Sequence, residues 1–397
     1  MARDTRTLVA AFVALGAHFS AVSALLPQWA ERAGDGVLAA VPALFGGLVA
    51  GVLVSAPILA DAPPGRVLRG AAVAQAASLV ALAAAGRSLV PGTAWLVVAL
   101  AGVSGVAFGL IETSVSLAAR SATGTDRRLG RLFAVSAATA AAVPALVFLA
   151  ARAGVADAVL ALAAVAGVTV ALRPAVGRRP AVRPDPAVGS HAVPDERTGN
   201  LPAAVPDERP GVPWRVLVPV ATALALYVGV ETLLAGWSAV LVRDLLAASP
   251  STASLGASAF WVLMSAGRAW GARSAPAGMW PRAVTAAALF AVAAAGVLVG
   301  HVPALVLAAC AATVLAIAPM YPRLLGLALE RLDGRSAARW TGPLVAAGAA
   351  GGSLLPALAL ALGPATGAAT FVVAALASLA LGAVAPPRRP PRTPAAP

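Results

Sequence analysis

The sequence predicts an all-α membrane protein, with twelve transmembrane helices in two pseudo-symmetric six-helix bundles. Three observations carry that expectation. Apolar runs of about 20 residues, each long enough to cross a hydrocarbon core, recur along nearly the whole chain. One long polar stretch divides them six and six. Arginines collect in alternate connections, the pattern expected where one face of a membrane holds the positive charge.

The apolar runs lie near 7–26, 38–60, 67–86, 94–119, 131–151 and 155–172, then 215–241, 253–272, 281–299, 302–328, 338–362 and 366–384. The chain has 397 residues, 60% of them hydrophobic and 11% charged, with a mean hydropathy of +0.86. Nearly every charge therefore sits outside runs that a soluble domain does not tolerate, which excludes a soluble enzyme. The first run follows Arg3 and Arg6, as the apolar region of a signal peptide follows positive charge, but eleven further spans make it a helix of the bundle.

All 29 basic residues are arginine, against 16 acidic residues, a net charge of +13. With the N-terminus inside, 24 arginines fall on the cytoplasmic side and four, Arg32, Arg87, Arg152 and Arg243, on the other; Arg323 lies within a span. The positive charge is thus an orientation signal rather than a nucleic-acid footprint. It predicts a multi-pass protein of the plasma membrane with both termini cytoplasmic.

The domains follow: an N-terminal bundle over 1–172, a cytoplasmic linker over 173–214, a C-terminal bundle over 215–385 and a disordered tail over 386–397. The linker is rich in Pro, Arg and acidic residues and repeats the phrase VPDER, at Val193 to Arg197 and Val205 to Arg209. Such a composition cannot bury enough apolar surface to fold alone. Cys310 is the one cysteine and three histidines are scattered, so no disulfide, metal motif or nucleophile–base pair is expected, and no cofactor. Nothing resembles a Walker loop, which argues against an ATP-driven pump.

Several local phrases resemble the fucose permease-like branch of the major facilitator superfamily. LLPQW (Leu25 to Trp29) closes the first span, and GVAFGLIETSVSL (Gly105 to Leu117) lies in the fourth. YVGVETLLAGWSAVLVRDL (Tyr227 to Leu245) forms the seventh, GRAWG (Gly267 to Gly271) ends the eighth, and APMYPRLLGLAL (Ala318 to Leu329) lies in the tenth. The resemblance implies the major facilitator fold and secondary active transport by alternating access. It also implies spans one, four, seven and ten around a central cavity, and a latch between the halves formed by Asp61, Arg66 and Arg268. Departures are specific: Ser23 stands where fucose permeases carry a proton-coupling aspartate, Ser116 where they carry asparagine, and Arg323 where a threonine follows YP.

A carboxylate inside a span costs about 2.5 to 3.5 kcal/mol on insertion scales, so such residues face polar cavities or partners. Two lie well inside, Glu112 and Glu231. Helical spacing puts Phe108 and Ser116 on the face of Glu112, and Tyr227 and Ser238 on that of Glu231. Either carboxyl suits a proton carrier or a substrate contact. Arg323 would bind an anionic substrate, neutralise Glu112, or snorkel to the cytoplasmic interface. Gln28 and Ser23 are further candidate solute contacts. His18 and Gln75 read better as packing and interhelical hydrogen bonding. Trp29 and Trp237 belong either to the aromatic belt or to a stacking site.

The expected activity is transport of a small organic solute, coupled to protons, by a monomer in the lipid bilayer. Sugar-like uptake by symport and metabolite or drug export by antiport both stay open. The different-class alternative is a non-transporting membrane sensor or assembly factor on the same fold, which would keep both carboxylates out of any cavity.

Overall fold

In a computed structural model the described residues are 2–119, 125–173, 214–274, 279–298, 302–330, 332, 334–362 and 367–384. Most of the linker, the VPDER repeat and the tail lie outside them. The first half holds α1 (Ala2–Ala33), α2 (Ala40–Asp61), α3 (Pro64–Arg87), α4 (Ala94–Ala119), α5 (Thr125–Arg152) and α6 (Ala158–Ala171). The second holds α7 (Trp214–Leu246), a one-turn α8 (Pro250–Ala253), α9 (Leu255–Ser274), α10 (Met279–Leu298) and α11 (Pro303–Ile317). It continues with α12 (Met320–Glu330), α13 (Gly334–Ala361) and α14 (Gly367–Val384).

The two halves repeat one packing scheme. α1 packs on α5 as α7 packs on α13, and α3 packs on α6 as α10 packs on α14. The halves meet through α2 against α13 and α5 against α9, equivalent pairs under the same repeat, and through α1 against α7. Among the described residues eight segments are long and apolar enough to span a membrane, and three shorter apolar helices accompany them. α9 completes the twelve. Large apolar side chains such as Leu53, Trp95, Leu162, Val262, Leu289 and Leu376 are exposed around the outside, where a bilayer rather than water would cover them.

Small residues set the closest approaches, since helices in lipid associate by backbone proximity. A Cβ at Gly105 of α4 would overlap the carbonyl of Leu44 on α2, and one at Gly351 of α13 would overlap that of Ala225 on α7. The GAAGG segment (348–352) thus seats α13 on α7.

Two spans differ from expectation. The first helix does not end at LLPQW but continues through Pro27 to Ala33. Its last turns are held from outside the helix: Trp29 Nε1 donates to Asp157 Oδ1 at 2.8 Å, and Arg32 Nη1 donates to the Gly86 carbonyl at 2.7 Å and pairs with Asp157 at 3.2 Å. The tenth span breaks into α11 and α12 at Ala318–Pro319. Pro319 and Pro322 lack the N–H groups that would bond Leu315 and Ala318 in a continuous helix. Backbone freed in this way is tolerated at membrane depth only where other groups satisfy it.

Candidate functional site

A cavity of about 90 Å³ lies between the halves, well below the several hundred Å³ of a typical ligand site, so the halves leave little room between them. α1, α4, α7 and α12 line it as expected, and α2, α5, α9 and α13 add to it. Both acids sit on its wall. Glu112, only 8% exposed, accepts a hydrogen bond from Tyr321 Oη at 2.9 Å, a contact that joins α4 of one half to α12 of the other. No cationic side chain pairs with Glu112 among the described residues.

Glu231 has a different environment. Arg268 Nη2 lies 2.8 Å from its Oε1, an ion pair with side-chain exposures of 4% for the arginine and 15% for the acid. The same guanidinium donates to Tyr227 Oη at 3.3 Å, to the Phe133 carbonyl at 3.2 Å and to the Ala318 carbonyl at 3.4 Å. Ala318 is the carbonyl that Pro322 cannot satisfy, so the break between α11 and α12 and the placement of Arg268 are one arrangement. The break also turns Tyr321 into the cavity, where its ring stands 5.1 Å from Phe133 and 5.7 Å from Tyr227.

Arg268, expected among the cytoplasmic arginines, is instead a buried arginine of the cavity wall, and its bond to the Phe133 carbonyl of α5 joins the second half to the first. It lies near the end of α9, and spacing alone does not show which way a helix end faces. Arg66 is exposed at the start of α3, and the side chain of Asp61 lies outside the described residues. Arg323 does not reach Glu112; its Nη2 donates to the Gly271 carbonyl near the last turn of α9, in keeping with the snorkelling alternative.

Phe108 lines the cavity beside Glu112, whereas Ser116 is buried one turn further on with its hydroxyl unpartnered. Ser23 turns its hydroxyl onto its own helix, to the carbonyls of Phe19 at 3.0 Å and Ser20 at 3.2 Å, and does not line the cavity. Trp29 and Trp237 are fully buried, which removes them from an aromatic belt. Gln28 is buried with both amide atoms unpartnered among the described residues. His18 is a packing histidine: its ring nitrogens lie 3.1 Å from Ser104 Oγ and 2.9 Å from the Gln75 amide.

Sequence reasoning missed Asp157, which clamps the end of α1, and the aromatic wall formed by Phe19, Phe45, Phe133 and Trp261. The signal for Asp157 was present, since it is an acid at the third position of the sixth apolar run. The aromatics are spread over four helices and have no common spacing.

Two six-helix halves related by this repeat around a central cavity define the major facilitator fold. Solved structures match it over nearly the whole chain. The xylose transporter XylE of E. coli, in a partially occluded inward open conformation, aligns with a TM-score of 0.72 at 10% identity, covering 96% of this chain and 97% of that one. The human organic anion transporter MFSD10 aligns at 0.66 and 15% identity over 96% and 99%, and the E. coli fucose:proton symporter FucP at 0.61 and 14% over 96% and 97%. No protein-family model matches the sequence, and no curated protein matches it.

Proposed function

We propose that the protein is a proton-coupled secondary active transporter, moving a small organic solute by alternating access of the central cavity. The observation that carries this is Glu112: a buried carboxyl on the cavity wall, lacking a cationic partner among the described residues and tied across the two halves to Tyr321. A hydrogen bond to a carboxylate is roughly twice as strong as one to a neutral group. Protonation of Glu112 therefore loosens a bond that holds the halves together, and its loss restores that bond. Glu231 does not take this part, because it is the counter-ion of Arg268. Two of the structurally similar proteins, XylE and FucP, are proton symporters, which supports proton coupling on this fold.

The setting proposed with this activity is the plasma membrane, with both termini cytoplasmic and a monomer as the working unit. A sensor or assembly factor has no need of two acids on a cavity wall.

The test is flux into proteoliposomes of labelled xylose, fucose, choline and benzoate, with and without an imposed pH gradient. A solute should accumulate only with the gradient. Glu112→Gln should abolish that accumulation. Gradient-driven flux unaltered by Glu112→Gln would remove Glu112 from the coupling step.

A further inference from the structure

We infer that the cavity recognises a small monovalent organic cation, held against Glu112 among aromatic rings and exchanged for the proton that Glu112 carries. This rests on the transport function proposed above and assigns its substrate class. The first ground is the charge balance of the wall. Arg268 and Glu231 neutralise each other at 2.8 Å, which leaves Glu112 as a carboxylate with no cation beside it among the described residues. When Glu112 is ionised the cavity holds one uncompensated negative charge, which either a proton or a monovalent cation cancels.

The second ground is donor supply. An anionic solute needs a free guanidinium, but Arg268 directs its N–H groups to two backbone carbonyls, Tyr227 and Glu231. A sugar needs many neutral polar partners, and the wall offers the hydroxyls of Ser136 and Thr232 and the indole N–H of Trp261. The third ground is the remaining surface. Phe19, Phe45, Phe108, Phe133, Trp261 and Tyr321 line the same cavity as Glu112. Phe19 stands 5.4 Å from Phe45 and 5.8 Å from Trp261, both edge to face. Ring faces attract quaternary or protonated amines, most strongly where water is excluded.

The exchange balances without other reactants. Glu112 releases its proton to water on the side the cavity faces, the carboxylate receives the cation, and no bond other than O–H breaks or forms. One positive charge replaces another, so a 1:1 exchange carries no net charge, and an inward proton gradient drives the cation out.

Binding of choline to the purified full-length protein, measured by calorimetry alongside its neutral isostere 3,3-dimethylbutanol, tests this. Choline should bind saturably and more weakly as pH falls, because protons compete for Glu112, and the isostere should not bind. Glu112→Asp should keep pH-dependent binding, Glu112→Gln should lose it while remaining monodisperse, and Trp261→Leu should weaken it about tenfold or more. The inference is overturned if choline shows no saturable binding, if its binding is independent of pH, or if the isostere binds as tightly. Gradient-driven flux of xylose or benzoate alongside such a result would sink the cation and leave proton-coupled transport standing. Flux indifferent to Glu112→Gln would remove Glu112 from both binding and coupling, and gradient-driven flux of none of the solutes would sink the transport assignment itself.

Discussion

Arg268 and Glu231 form a buried ion pair whose worth depends on both members being present. Taking charges out of water is costly, and their mutual attraction offsets that cost only when the geometry is close. Glu231→Gln or Arg268→Gln alone leaves one charge uncompensated inside the bundle, and should lower stability by about 3 to 5 kcal/mol. The double replacement, with no charge left to compensate, should recover most of that loss. Thermal unfolding of the three variants in one detergent measures it, and a double variant no better than the singles would show that the pair is not the source. At this scale the sequence was partly legible. Glu112 and Glu231 stood out because an acid within an apolar run needs an explanation. Arg268 did not, because an arginine six residues from a helix end has two directions open to it, and the partner that decides between them lies 37 residues earlier in the chain.

The helical elements were the most legible part, since spans are set by the length and polarity of their runs. What apolarity does not show is a break inside a run. The tenth span reads as one helix, but Pro319 and Pro322 interrupt its backbone bonding, and Arg268 supplies a donor to the freed Ala318 carbonyl. Replacing both prolines with alanine restores the missing N–H groups and competes with that donor. A proline inside a helix costs about 3 kcal/mol relative to alanine, so Pro319→Ala with Pro322→Ala should not lower the unfolding temperature. Proton-driven flux should nevertheless fall, because a straight α11–α12 helix carries Tyr321 away from Glu112. Stable protein with undiminished flux would mean that the break does not position Tyr321 for coupling. The far end of α1 makes a related point: the resemblance implies that LLPQW closes the first span, yet Asp157, Trp29 and Arg32 hold the helix together beyond Pro27.

At the scale of the whole molecule, alternating access requires that contacts closing one end of the cavity come apart. Such contacts are visible where the start of α2 meets α7 and α13. Ser353 Oγ donates to the Pro42 carbonyl at 3.0 Å, and a Cβ built at Gly236 would lie 3.6 Å from Val41 Cβ. Disulfides form where Cβ atoms are about 3.5 to 4.5 Å apart, so cysteines at these two positions are within reach of each other. The native background is simple, because Cys310 is the one cysteine and replacing it with alanine removes competing thiols. Val41→Cys with Gly236→Cys on that background should form an intramolecular disulfide under mild oxidation. If the halves must separate here for the cavity to load or empty, the oxidised protein should carry no flux, and a reductant should restore it. The side chain added at Gly236 crowds Val41 Cγ1, so the single variants control for packing, and both should transport whether oxidised or reduced. A crosslinked protein that still moves solute at the normal rate would show that this end stays closed throughout the cycle, and would replace rocking of the two halves with local gating at the other end.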